Sequence, residues 1–235
     1  MSVVAPALRT NRLVAALPIR ARQRLLSACE PVELSLADVL SVPGETIQQV
    51  YFPTSSFISL TTILDEQLSL EVGLVGDEGM LGTSLLLGVD VSPLHAQVGG
   101  AGSALRMEAT PFRRAVQENI PLQRCLRRYL YVVMRQLAQT AGCTRFHLVE
   151  ARLARWLLMM HDRAHSDALH ITQEYIAHVL GVRRAGVTHA ATALQTRHLI
   201  RYSRGHITIV DRPGLEAVSC SCYATDKVAY SRVMK

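Results

Sequence analysis

The residues best suited to chemistry stand at 183–189, Arg-Arg-Ala-Gly-Val-Thr-His: two guanidiniums, a hydroxyl and an imidazole within seven positions. On a helix, 184 and 188, and 185 and 189, are i, i+4 pairs on one face. Donors so placed can reach base edges. A guanidinium can bond guanine O6 and N7 together, which makes Arg184 the first candidate for reading a base. The competing reading of Arg184 is a solvated helix-end charge or a clamp on phosphate.

The elements that must hold this face are legible on either side. Thr172 fits an N-cap, with Ile171 before it and Ile176 where a hydrophobic staple would close. A first helix is expected over 173–180, with Ile176 and Leu180 inward. Gly181 supplies a sharp turn that a side chain would obstruct. In the second helix Val187, Ala191 and Leu194 form the apolar seam, while Arg183, Arg184, Thr188 and His189 look outward. Ile200/Tyr202 and Ile207/Ile209 then alternate around Ser203-Arg204-Gly205-His206, the pattern of a tight hairpin. The stretch 169–210 thus outlines a winged helix-turn-helix, a unit that places one helix in a DNA groove. A small helical hairpin in a core would share the apolar pattern but not the charge. Residues 146–235 hold 12 Lys/Arg against 7 Asp/Glu and eight of the nine histidines, whereas 1–145 hold 13 against 12. A local basic excess is the electrostatic footprint of phosphate binding, so DNA binding is the favoured reading.

Upstream, residues 12–29 read as an amphipathic helix, with Leu13, Leu17, Leu25 and Leu26 apolar and Arg20, Arg22 and Arg24 outward. From 30 to 110, short apolar or alternating runs (VELSL, DVLSV, IQQVYF, FISLTTIL, LSLEVGLV, HAQV, SALRME) are parted by Pro, Gly, Asp and Ser. That is the texture of an antiparallel sandwich or roll. From Pro111 the period turns helical. Leu122, Leu126, Tyr129, Val133 and Leu137 step by three and four, a stripe able to pair with a second subunit or to pack on its own domain. Thr140–Thr144 would be a hinge. A helix over 147–165, carrying Leu148, Leu153, Trp156, Leu157 and Met160, would lie beneath the reading head.

The expected fold class is therefore α+β in three parts: an N-terminal antiparallel β-roll (1–110), a long helix with hinge (111–145) and a winged helix-turn-helix domain (146–235). A chain of 235 residues with 49% hydrophobic and 19% charged content suits one large or two modest domains. No run approaches the ~18–20 apolar residues of a membrane span. The first twenty residues lack the apolar core and cleavage site of a signal peptide. A cytoplasmic protein with no membrane partner is expected.

The segment 171–210 resembles the C-terminal domain of the Crp/Fnr family of bacterial transcription regulators. Val42-Pro43-Gly44-Glu45-Thr46-Ile47, Val50-Tyr51-Phe52-Pro53 and Val75-Gly76-Asp77-Glu78-Gly79-Met80-Leu81-Gly82 are similar to that family's effector domain, a cyclic-nucleotide-binding-like jelly roll. The likeness runs from about residue 11 to about residue 223. It implies a homodimer, joined through the helix carrying Leu122, Leu126, Tyr129, Val133 and Leu137, on a two-fold symmetric operator in double-stranded DNA. RNA polymerase is a further partner that it allows. The resemblance assigns base contacts to Arg184, Ala185 and His189, with Arg183 and Thr188 adjacent; Arg201, Arg204 and His206 near the wing, together with Thr172, would bind backbone phosphate. Two positions depart from the family pattern: Ala185 stands where a base-reading glutamate is known, and Arg183 where a capping serine is common. The operator should therefore differ from the familiar family sequence.

Cyclic-nucleotide-binding relatives hold their ligand by a glutamate on the ribose and an arginine on the phosphate, in the loop corresponding to 76–98. Here that loop has no Lys or Arg, and residues 25–105 contain none at all beside ten Asp/Glu. A phosphate buried there would lack a charge-assisted donor. Gly79, Leu81, Gly82 and Arg106 are the weaker substitutes that an effector pocket could use. No cofactor is expected, cyclic nucleotide included; the roll is either a dimerisation scaffold or the holder of a different, uncharged effector. Other relatives carry an iron–sulfur cluster on closely spaced N-terminal cysteines, and here only Cys29 lies in the first hundred residues.

Cys220-Ser221-Cys222 is a C-x-C pair that could chelate a soft metal or oxidise. Structural zinc wants four ligands, so the pair reads as two incidental cysteines and no metal site is expected. His161 and His165, i, i+4 on a helix, likewise lack a third ligand. The chain has no nucleophile elbow, P-loop, dinucleotide fingerprint or zincin motif. Glu71, Asp77 and Glu78 are close in sequence and read as residues of solvated turns; they stand without an accompanying catalytic motif, and an enzyme is not expected.

Overall fold

A computed structural model of the protein describes residues 10–64 and 69–235. Part of the leader-peptide reading falls on residues 1–9, and the first residue of the LSLEVGLV run, Leu68, falls on 65–68; both lie outside the described residues. The chain is α+β, with antiparallel sheets, one long helix and a C-terminal helix-turn-helix.

Two short helices come first, α1 (Arg12–Ala15) and α2 (Ile19–Leu26). The single helix expected over 12–29 is broken because Pro18 is extended (ψ 145°) and caps α2, and a residue preceding proline is itself biased away from helix. Leu26, expected on the apolar side, is exposed as a result. Among the described residues seven strands follow: β1 (Glu30–Leu34), β2 (Val39–Ser41), β3 (Gln49–Pro53), β4 (Phe57–Ile63), β5 (Ser69–Val75), β6 (His95–Gly100) and β7 (Gly102–Glu108). Each apolar run that reads as a strand forms one. They make a three-stranded sheet in the order β1-β7-β3 and a four-stranded sheet in the order β2-β6-β4-β5. Then come α3 (Ala109–Glu118), α4 (Ile120–Phe146), α5 (Val149–Ala164), β8 (Ala168–His170), α6 (Gln173–Leu180), α7 (Arg184–Thr196), β9 (Ile200–Ser203), β10 (His206–Ile209), α8 (Arg212–Val218) and α9 (Cys222–Val233). Among the described residues no helix is long and apolar enough to cross a membrane.

The described residues divide into two compact units, one of residues 10–58, 75–93 and 97–127, the other of 59–64, 69–74, 94–96 and 128–235. In the first, Val50, Phe52, Phe57, Met80, Val98, Met107 and Phe112 are buried, with Phe52 and Phe112 in tilted contact at 6.4 Å. Asn11 is wholly buried there. Its amide donates to the carbonyls of Pro53 (2.9 Å) and Gly79 (2.8 Å) while its Oδ1 caps α1 at Val14, so one polar side chain satisfies three backbone groups. In the second unit Leu153, Leu157, Leu158, Ile176, Val187, Leu194 and Leu215 are buried, and α5 packs against α6, α7, α8 and α9.

Two expectations change at α4. Leu122 and Leu126 have no exposed surface and Tyr129 almost none, so these three belong to the chain's own core and are closed to a second subunit. Asn119 explains the start: its Oδ1 caps Leu122 while its amide reaches the Ala21 carbonyl, which turns this face of the helix inward. Of the expected stripe, Val133 is half-buried and Leu137 exposed. The large apolar residues that α4 leaves outside are Ile120, Tyr131, Met134, Leu137 and, at its last position, Phe146. Moreover, α4 runs unbroken through Thr140–Thr144, and the chain leaves helix only after Phe146.

Candidate nucleic-acid interface

The reading head is built from local rules. Thr172 Oγ1 accepts the amide of Tyr175 at 3.1 Å and caps α6. Ile171 and Ile176 are both buried, as a staple requires. Gly181 ends the helix in the left-handed region (φ 61°), and a Cβ there would stand 3.2 Å from Leu70 Cδ1. The adjacent Leu180 carbonyl accepts a hydrogen bond from the buried guanidinium of Arg152 on α5. A cation at a helix C-terminus opposes its negative dipole end, so Arg152 holds the turn from beneath.

Next, α7 divides cleanly into faces. Val187, Ala190, Ala191 and Leu194 are buried, whereas Arg183, Arg184, Ala185, Thr188 and His189 are all exposed. The sequence-predicted base contacts therefore share one open face at the N-terminal half of α7, which no side chain caps. Thr188 Oγ1 lies 2.9 Å from Gln173 Oε1 and 3.1 Å from the Arg184 carbonyl. This ties the first turn of α6 to α7 and adds Gln173, half-buried, to the same face.

The wing is a three-stranded sheet in the order β8-β10-β9, one strand more than the expected hairpin. Arg204 (φ 48°) and Gly205 (φ 82°) form its two-residue turn, and positive φ at both matches the twist of the flanking strands. Arg201, Arg204 and His206 are exposed here, and Thr172 is exposed beside them in sequence order at the start of α6. His206 pairs in register with His170 and their rings meet at 4.5 Å. His170 is invisible to pattern reading because β8 is only three residues long. Tyr202 donates to the Ile171 carbonyl at 3.2 Å, joining wing to helix-turn-helix. Burial raises its hydroxyl's pKa, and the nearby Arg184 charge opposes this.

The residues proposed for an effector pocket gather only in part. Leu81 bridges Tyr51 through paired backbone bonds of 2.9 and 3.3 Å, and Tyr51 faces Arg106 across β3 and β7. Gly82 sits against Val50, where a Cβ would come within 2.7 Å of Cγ1. The Gly79 carbonyl is turned to Asn11 instead. Arg106 is paired with Glu30 at 2.6 Å, so a carboxylate already answers the first cation after the acidic stretch.

Other polar groups resolve differently from their sequence reading. His161 is held between Asp167, 2.7 Å from Nε2, and the Arg212 guanidinium at Nδ1. Both ring nitrogens are engaged, and His165 caps α5 in the left-handed region. Glu71 is buried: its carboxylate accepts from Ser59 (2.5 Å) and Trp156 (2.7 Å). Desolvation pushes its pKa up to about 7, against the lowering pull of those bonds and of Arg163 and Arg155. Cys143, His147, Cys220 and Cys222 converge, their ligand atoms all within 4.8 Å of one another. Sequence reading leaves the C-x-C pair without partners because Cys143 and His147 lie more than seventy residues upstream; their i, i+4 spacing is the one signal that could have found them.

Comparison with known proteins gives a family model and a set of folds. Residues 151–218 match the Crp-like helix-turn-helix domain. Among solved structures, a candidate transcriptional regulator of the crp/fnr family from Eubacterium rectale is 17% identical with a TM-score of 0.69, covering 88% of this chain and 96% of that one. CLP of Xanthomonas campestris, a c-di-GMP-responsive global regulator, is 14% identical with a TM-score of 0.67, covering 82% and 99%. A CRP/FNR-family transcriptional regulator from Thermus thermophilus is 20% identical with a TM-score of 0.67, covering 81% and 98%. No curated protein sequence matches the chain.

Proposed function

For a chain that carries a Crp-like helix-turn-helix DNA-binding domain in the fold of the Crp/Fnr-type transcription regulators, we propose sequence-specific binding to a palindromic operator as a homodimer. The single observation that carries this is the open face of α7, where Arg183, Arg184, Ala185, Thr188 and His189 are exposed while the opposite face is fixed in the core. Arg184 donates to guanine O6 and N7, and the Ala185 methyl meets a thymine methyl. Arg183, Thr188 and His189 lie alongside. Arg201, Arg204 and His206 bind backbone phosphate from the wing and give register rather than specificity. The capping bond uses the Thr172 oxygen as acceptor and leaves its hydroxyl proton for a phosphate.

Two recognition helices enter successive major grooves, with half-site centres about 34–36 Å apart. The dimer contact is the exposed side of α4, with Tyr131, Met134 and Leu137 replacing the buried Leu122, Leu126 and Tyr129. These three, at i, i+3 and i+6, lie within about 120° of one another around the helix. The β-roll holds no phosphate-based effector, since the pairing of Arg106 with Glu30 leaves an acidic stretch without a charge-assisted donor. Such a protein works in the cytoplasm, next to RNA polymerase.

Selection of bound duplexes from a random DNA pool, with purified protein at moderate salt, tests the reading. Enrichment of one palindrome with half-sites a helical turn apart is expected. Enrichment of nothing, both alone and with cell extract, would overturn it.

A further inference from the structure

The C-terminal unit gathers a second set of chemically able residues that DNA binding does not use. Cys143 lies on the last turns of α4, and His147 is one turn further on the same face, with its amide still bonded to the Cys143 carbonyl at 3.1 Å. Cys220 and Cys222 flank Ser221 at the junction of α8 and α9. Ser221 is helical (φ −54°), which brings both thiols to one side. Cys143 Sγ is 3.5 Å from Cys220 Sγ, and His147 Nδ1 is 3.5 Å from Cys222 Sγ. All three thiols are buried and free, and the imidazole is half-buried.

We infer that Cys143, His147, Cys220 and Cys222 form a tetrahedral Cys₃His site for a zinc-class divalent cation. Zinc–thiolate and zinc–imidazole bonds of about 2.3 and 2.0 Å set ligand-to-ligand edges near 3.5–3.8 Å. The two measured edges already have that length, and the widest separation of 4.8 Å closes with a side-chain shift of about 1 Å. Three soft sulfurs and one imidazole select zinc over the oxygen-seeking magnesium or calcium.

The surroundings supply the support that such a site needs. Gln139, one turn before Cys143, donates its amide to Cys222 Sγ at 2.9 Å, the outer hydrogen bond that orients a thiolate ligand. Cys222 opens α9, where the positive end of a helix favours the thiolate. Charge gives an independent argument. Arg152 and Arg155 are both buried in α5 beside Cys143. Asp226 pairs with Arg155 at 2.8 Å, while Arg152 bonds the Leu180 carbonyl. Among the described residues, one buried cation is therefore left without a partner anion, and an unmatched buried charge is costly. Zinc bound by three thiolates and a neutral imidazole carries one net negative charge and balances it. On loading, three thiol protons leave to solvent and Nδ1 of His147 binds as the neutral ring. The cation then clamps the end of α4 to the α8–α9 junction, with Arg152 linking this clamp to the turn after α6.

Reduced full-length protein is freed of metal with a chelator and titrated with Co²⁺, then with Zn²⁺. One equivalent of Co²⁺ should give the visible bands of a tetrahedral thiolate complex, and one equivalent of Zn²⁺ should abolish them. Cys143→Ser, His147→Ala and Cys222→Ser should each lose the bands, and Cys125→Ser, away from the cluster, should keep them. Far-UV circular dichroism of each apo variant separates lost ligands from lost folding. Zn²⁺ should raise Tm in the wild type and in C125S but not in C143S. No stoichiometric uptake by the reduced wild type would overturn the inference, as would bands that survive in folded C143S or C222S.

Discussion

Between Leu25 and Leu105 the chain has no lysine or arginine and ten carboxylates; between Phe146 and Lys235 it has 12 cations and seven carboxylates. Both stretches build their elements from the same apolar periodicities, and both have well-buried cores. They differ in what the polar side chains face. In the basic stretch, α7 turns Arg183, Arg184, Thr188 and His189 to solvent and the wing does the same with Arg201, Arg204 and His206. At the edge of the acidic stretch, Arg106 is met at once by Glu30, and inside it Glu71 is sealed from water. Apolar pattern specifies the fold of both regions, whereas the open cations specify what one of them can bind.

The largest effect should come from salt. With six or more phosphates engaged by a dimer, duplex affinity should fall by about 10³-fold between roughly 50 and 200 mM salt. Fluorescence anisotropy titrations measure the slope, and a flat one would erase the distinction between the two stretches.

The next effect belongs to the acidic stretch. Glu71 sits near 4.5 when exposed and about 7 when folded. The folded chain thus holds its proton where the unfolded chain has lost it. The contribution to stability is full below about pH 4.5 and is lost as pH rises through about 7. Glu71→Gln has nothing to ionise, keeps an acceptor for Trp156 and gains a donor for Ser59. Relative to this variant, the wild type should lose on the order of 2–3 kcal/mol between about pH 5 and pH 8. Urea titrations across that range test it; parallel profiles would mean that the carboxylate ionises freely in the fold.

The smallest effect is expected at Arg106. Its pairing with Glu30 lies at a largely open surface, where such contacts contribute about 0–1 kcal/mol. Arg106→Ala should leave operator affinity unchanged and Tm nearly so. A loss of DNA binding in this variant would give the acidic stretch a role in recognition.

Local signals make most of the reading head legible. Thr172 caps α6, Gly181 takes the left-handed turn, and the α7 seam of Val187, Ala191 and Leu194 is buried as its spacing requires. The seven strands are legible for the same reason. What escapes is whatever depends on distant packing. The α4 stripe has apolar residues on more than one side, and periodicity cannot say which side the chain's own core takes; it takes Leu122, Leu126 and Tyr129. Pro18 is a local signal, easily outweighed by the leucines around it. Cys143 with His147 and Cys220 with Cys222 are two half-sites that only the fold brings together. Arg152, a cation within an apolar helix, reveals its role only once the Leu180 carbonyl stands over it.

Base reading by the open face of α7 is tested by repeating the random-pool selection with Arg184→Ala beside the wild type. The variant should select the same palindrome with preference relaxed at one base pair in each half-site, and bind more weakly by about 1–3 kcal/mol per contact. An identical motif at undiminished affinity would leave Arg184 as a solvated charge at a helix end and α7 without its base-reading guanidinium.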